Sequence, residues 1–315
     1  MERLRPLNDF VFKKLFGEDD VLDNLVAFLN AVLDRKGTNK LVGVKIIDNK
    51  ELTRELIDDK LSILDVRAKA KNGIEINIEV QLLNQNNMEK RTLYYWGKLF
   101  NKTIGKGEKY NDLSKVITIN ILNFEYINLK EFYTSFHIWE DTHKEYKLND
   151  LLEIHFIEIP KFNNLKKKNL SGDSLQRWLT FLNKDIPEEL LEELMEMDEN
   201  IKAAEKKLEY LSSDKHTRDL YEARERSRLE RANLIETGIE RGKNEGWKEG
   251  LKEGIKEGIK EGIKEGIKEG IKEGIKSKAI EIAKELLKDG AEIEFVSKVT
   301  KLSYEEVNEL KINLE

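Results

Sequence analysis

Residues 62–82 read Ser-Ile-Leu-Asp-Val-Arg-Ala-Lys-Ala-Lys-Asn-Gly-Ile-Glu-Ile-Asn-Ile-Glu-Val-Gln-Leu. Apolar and polar residues alternate on either side of Asn72-Gly73, the pattern of two strands joined by a tight turn. Leu64, Val66, Ala68 and Ala70 form the apolar face of the first strand, and Ile74, Ile76, Ile78 and Val80 that of the second. A two-residue loop at Asn72-Gly73 would put these two sets on opposite faces, because a slip of one residue flips every side chain. A three-residue loop, Lys71-Asn72-Gly73 with Gly73 in the left-handed region, aligns them. That register sets Asp65 opposite Glu79, with Gln81 two residues on, all on the polar face.

Two carboxylates one strand spacing apart, about 5 Å between backbones, suit a hard cation such as Mg2+, which prefers oxygen ligands and keeps several waters. Such an ion polarises a phosphate and lowers the pKa of a bound water. On alternation alone the plainer reading is an antiparallel sheet with one wet face, which carries Asp, Arg, Lys, Glu and Gln for solubility.

The surrounding chain adds a resemblance. Asp-Val-Arg-Ala at 65–68, a hairpin, and Ile-Glu-Val-Gln at 78–81 resemble the PD-(D/E)XK nuclease superfamily, whose signature is an acid followed later by Glu-x-Lys. Asp65 matches the first acid and Glu79 the second, while Gln81 stands where the lysine usually is. The likeness is greatest to the Rpn-type recombination-promoting nucleases, a bacterial branch also described as transposases, which resembles this chain in its Glu-x-Gln. Asn8-Asp9-Phe10-Val11-Phe12-Lys13 with Phe16-Gly17, Arg91-Thr92-Leu93-Tyr94-Tyr95-Trp96 and a glycine-rich charged tail fit the same branch, so the resemblance spans residues 6–276. It implies a restriction-endonuclease-like α/β fold, a mixed sheet flanked by helices, followed by an all-helical C-terminal extension. It further implies a DNA endonuclease using Mg2+ or another divalent cation, with Asp65 and Glu79 as metal ligands and Gln81 orienting water or a phosphate oxygen. Asp9, on the helix that lies near the active site in the family, is an additional candidate acid.

Composition narrows the setting. Charged residues make up 37% of the 315, above the usual quarter, and the excess lies in the C-terminal half. Without cysteine there is neither a disulfide framework nor a thiolate metal site. No apolar run approaches the ~18 residues that span a bilayer, and Met-Glu-Arg-Leu-Arg-Pro is no secretory leader, so no membrane partner and a cytoplasmic setting are expected. A net charge of −6 makes any nucleic-acid surface local.

Residues 8–17 and 20–34 read as amphipathic helices, the first carrying Asp9 and Lys13 four apart. Residues 42–54 look extended, with a turn at Asp48-Asn49. Residues 88–104 read as a helix burying Leu93, Trp96, Phe100 and Ile104. Between residues 90 and 109 stand Lys90, Arg91, Lys98, Lys102, Lys106 and Lys109 against Glu108 alone. Such a helix tracks a phosphate backbone, or is simply an amphipathic helix with a lysine-rich wet face. Arg91 and Tyr95 are the pair expected nearest the site, with Lys98, Lys13 and Lys69 as further DNA contacts. Residues 115–122, 132–139 and 152–159 read as strands, the first central. His137, His143, His155 and His216 lack metal-ligand spacing and read as structural.

After Pro160 the chain turns helical. The expected domains are a nuclease-like domain at 1–165, a helical extension at 166–236, a glycine ladder at 237–276 and a helix-turn-helix-like module at 277–315. From Gly238 to Gly274 glycine recurs every fourth residue, mostly as Ile-Lys-Glu-Gly. Each interior glycine costs ~1 kcal/mol relative to alanine, so an isolated helix is marginal. Association into a homo-oligomer through these C-terminal helices is favoured over a flexible spacer. In the last module six lysines face nine acids, which favours docking over DNA reading. The rival function is a non-catalytic DNA-associated scaffold acting through its tail.

Overall fold

The computed structural model describes residues 2–47 and 66–314. Asp65 and the expected turn at Asp48-Asn49 lie outside the described residues. Six strands form one mixed sheet in the order β1-β2-β3-β4-β6-β5, with β1 Val44–Ile46, β2 Val66–Ala70, β3 Glu75–Gln81, β4 Val116–Leu122, β5 Tyr133–Phe136 and β6 Leu152–Glu158. The β2–β3 hairpin pairs Val66 with Ile78 and Ala68 with Ile76. Its loop is the expected three residues, closed by Gly73 N–H to Ala70 O at 3.0 Å with Gly73 at φ 87°. Only glycine takes that φ without strain. β3 and β4 run parallel, as do β4 and β6. A parallel pair needs a crossover, supplied between β3 and β4 by α3, Met88–Asn101.

Alternation divides the sheet into two faces. Val66, Ala68, Ile76, Ile78, Val80, Ile117, Ile119, Ile121 and Ile157 point into the main core. There they meet α1 (Asp9–Phe16) and α2 (Leu22–Val32) through Phe12, Phe16 and Phe28. Four further helices follow β6: α4 Ile159–Asn163, α5 Ser174–Phe181, α6 Glu188–Met197 and α7 Glu199–Ser213. Trp178 of α5 packs edge-on against Phe16 and Phe28 at 5.6 and 5.8 Å, and Ile201, Ala204 and Leu208 of α7 are fully buried. Arg3 reaches Glu205 at 2.9 Å. Residues on both sides of position 165 thus share one core, and the first compact unit runs from Met1 to Ala232.

α3 covers the opposite face, which is not the wet surface the pattern allowed. Arg67, Glu75, Asn77 and Glu79 are all buried. The helix also sits a turn-fraction away from expectation. It buries Met88, Thr92, Tyr95 and Leu99, while Leu93 is 53% exposed and Ile104 lies beyond its end. The cause is the polar face shared by β3 and β4: α3 turns Thr92 toward it, and the Thr92 hydroxyl donates to Asn120 of β4 at 3.0 Å.

α8, Lys215–Lys288, contains the glycine ladder. The second unit, residues 233–315, has its own small core of Ala283, Val296, Leu302 and Val307. It joins the end of α8 to α9 (Ile293–Thr300) and α10 (Tyr304–Ile312). Gly290 at φ 84° ends α8, and Ser303 with Glu306 forms the expected capping box.

Candidate active site

Glu79 is the centre of a buried polar cluster. It stands on β3 beside Asn120 of β4, on the face that α3 covers, with 1% of its surface exposed. Three donors converge on its Oε1: Gln81 Nε2 at 2.9 Å, Arg91 Nε at 2.8 Å and Arg91 Nη2 at 2.5 Å. Gln81 is two residues on along β3 and Arg91 lies in the second turn of α3, so strand pleat and helix position fix the cluster. Burial raises the pKa of the Glu79 carboxyl, against the lowering pull of the Arg91 charge and the hydrogen bonds of Arg91 and Gln81.

Tyr95 stands behind Arg91, with the guanidinium carbon 5.5 Å from its ring centre. At 4% exposure the ring is buried beneath the guanidinium it supports. Asn120 Nδ2 donates to His155 O at 3.0 Å, tying α3, β4 and β6 together. Asn77, one pleat before Glu79, and its cross-strand neighbour Thr118 carry buried side-chain atoms with no hydrogen-bond partner among the described residues. The polar layer beside Glu79 therefore holds unspent hydrogen-bonding capacity.

The remaining expected residues are placed less centrally. Lys69 lies 3.8 Å from Glu75, which Arg67 also holds at 3.2 Å. Lys98 stacks over Tyr94 at 4.6 Å, one to two turns along α3. Lys13 and Asp9 belong to α1, on the other face of the sheet. Gly17, just after α1, explains how that helix approaches β2: an added Cβ would lie 3.2 Å from the Val66 side chain and 2.9 Å from Lys13 O. Asp9 is half-exposed and pairs with Arg224 of α8 at 2.7 Å, not with Glu79 or Gln81.

A second charged cluster lies on the main-core face. The β5–β6 pairing sets Ser135 against His155 and so brings His137 to 3.8 Å from Glu153. His137, Asp150 and Glu153 offer ligand atoms within 4.8 Å of one another. Sequence spacing concealed this set, because strand pairing rather than proximity in the chain assembles it. Lys115 already sits there, 2.5 Å from both Asp150 and Glu153, where a cation would be. Burial would raise Glu153, but hydrogen bonds from His155 and Lys115 and their charges bring it down to about 2.

Among the described residues no helix is long and apolar enough to cross a membrane. No curated protein and no solved structure matches the chain. The family model described as PD-(D/E)XK nuclease family transposase matches residues 6–238, which takes in the hairpin, α3 and the helices up to the first glycine of the ladder. With its mixed sheet and helices on both faces, this chain belongs to the PD-(D/E)XK nuclease family of transposases.

Proposed function

We propose that the protein is a metal-dependent DNA endonuclease that hydrolyses phosphodiester bonds, with Asp65 and Glu79 as ligands of Mg2+ or a similar cation. The observation that carries this reading is the meeting of Gln81 and Arg91 on one oxygen of Glu79, within a nuclease family. The donor set fits a hard cation: a carboxylate in a buried polar layer where Asn77 and Thr118 have side-chain atoms without a hydrogen-bond partner among the described residues, and an amide whose nitrogen is already spent on Glu79. When bound, the cation supplies a polarised phosphate and a water of lowered pKa.

Gln81 orients that water through its carbonyl but, being neutral, adds no charge to balance the crowded phosphate of the transition state. Arg91 is the group best set to do so. Its guanidinium matches phosphate oxygens in a bidentate fork, and it is already held at the site by Glu79. Lys13, Lys69 and Lys98 would hold the DNA backbone away from the reacting bond.

Supercoiled plasmid in Mg2+ tests the reading. Wild type should nick it, and chelation or Asp65→Ala should stop the nicking with circular dichroism unchanged. Undiminished cleavage by both Asp65→Ala and Glu79→Ala sinks the assignment. Strand transfer, in which a DNA 3′ hydroxyl takes the place of water, would instead yield joined products.

The depth of Glu79 favours a second reading, a DNA-associated scaffold without catalysis that works through its tail. In either reading the tail is proposed to join copies of the chain. Leu251 and the isoleucines from 255 to 275 are 50–67% exposed, and a second copy is the simplest apolar cover for them.

A further inference from the structure

Half-exposed Tyr94 and partly buried Lys98 stand side by side on the flank of α3 where Arg91 meets Glu79. At 100° per residue, α3 buries Met88, Thr92, Tyr95 and Leu99 along one stripe. Trp96 flanks that stripe on the β4 and β6 side, donating from Nε1 to Val116 O at 3.1 Å. Arg91, Lys98 and, farther round, Tyr94 flank it on the other side, where Arg91 meets Glu79. Tyr94 is 50% exposed. It packs edge-on against Tyr95, ring centres 5.3 Å apart at 71°, and Lys98 Nζ lies 4.6 Å from its centre. A continuous path of contacts therefore runs from Glu79 through Arg91 and Tyr95 to a half-exposed ring bearing a cation.

An exposed aromatic ring braced on one edge and paired with lysine is the element by which proteins stack unpaired bases while tracking phosphates. From residue 90 to 107 the chain carries Lys90, Arg91, Lys98, Lys102 and Lys106 and no acid. The stretch is therefore basic in sequence, with Arg91 answered by Glu79, and Tyr94 adds the ring of a base contact. A paired base in a duplex has both faces covered by its neighbours, so it cannot use the ring. An unpaired base can.

We propose that Tyr94 stacks an unpaired base beside the cleaved bond, making single-stranded or locally opened DNA the preferred substrate class. The inference rests on the endonuclease reading for its site, but its test needs no cleavage. Full-length protein is titrated in EDTA into a fluorescein-labelled 20-nucleotide single strand and into the matching duplex, and binding is read by anisotropy. Wild type should bind the single strand more tightly. Tyr94→Ala and Tyr94→Leu should each weaken single-strand binding about tenfold, the effect of losing roughly 1–3 kcal/mol of base stacking, and change duplex binding less than twofold. Tyr94→Phe should match wild type. Tighter binding of the duplex, equal losses on both probes, no loss in either variant, or full retention by Tyr94→Leu would overturn the proposal. Absent plasmid cleavage with this binding pattern intact would remove the nuclease reading and leave the stacking platform standing.

Discussion

Glu79 and Arg91 meet under cover of α3, so each is held by the other against a poor dielectric. Removing one partner of a buried pair strands the other charge, a loss of about 3–5 kcal/mol. Arg91→Met should therefore lower the urea midpoint sharply, and Arg91→Met with Glu79→Gln should recover much of it. The sign with pH follows from burial. A carboxyl whose folded pKa is raised contributes most below its unfolded value and loses that contribution as pH rises through the folded one. Arg91 restrains this for Glu79, so the Arg91→Met deficit should be larger at pH 8 than at pH 5. Glu153 behaves oppositely. Its carboxyl falls from 4.5 to about 2 in the fold, so its contribution is present above pH 4.5 and drains away as pH drops toward 2. Glu153→Gln should flatten acid unfolding across that window by on the order of 2 kcal/mol, after allowance for partial exposure. Urea titrations at stepped pH check both statements.

Elements show why some of this fold could be read in advance. The hairpin register followed from strict alternation and one glycine, and the pairing of Val66 with Ile78 agrees. β4 declared itself central by its nearly unbroken apolar run, and all seven of its residues are buried. The face of α3 did not declare itself. Apolar spacing alone points its stripe through Leu93, yet the surface it packs on carries Asn77, Glu79 and Asn120, so Thr92 and Tyr95 turn inward and Leu93 outward. His137 reaches Glu153 only through the β5–β6 pairing, which chain spacing cannot reveal. The glycine ladder is legible as a repeat and, through association, as a helix, although propensity alone argues against one; residues 215–288 are helical. Alanine should improve it. At Gly254, Gly258 and Gly262 an added Cβ meets nothing within 4 Å, so each substitution should stabilise the helix by ~1 kcal/mol. A triple Gly→Ala variant should show slower amide hydrogen exchange across residues 250–266, and unchanged exchange would contradict this.

At the level of the whole chain, the first unit ends at Ala232 and the family match at 238, whereas a change of character after Pro160 had suggested 165. Sequence composition registers that the later helices are charged; it does not register that Trp178, Phe181, Ile201 and Leu208 complete the core begun by Phe16 and Phe28. Truncation separates the two boundaries. A chain stopped after residue 232 should unfold in one cooperative transition near the full-length midpoint. A chain stopped after 165 should lack that transition and bind a hydrophobic dye, since it uncovers those rings.

The repeat between Leu251 and Gly274 is written in blocks of four residues, each with one lysine and one glutamate. Each block is electrically neutral, so adding or removing whole blocks changes the length of the helix without changing its net charge. One block lengthens the helix by ~6 Å and advances its azimuth by ~40°. The ladder is thereby a spacer adjustable in fixed steps, and variants with one block added or removed should keep the helical circular dichroism signal per residue while changing length by that step.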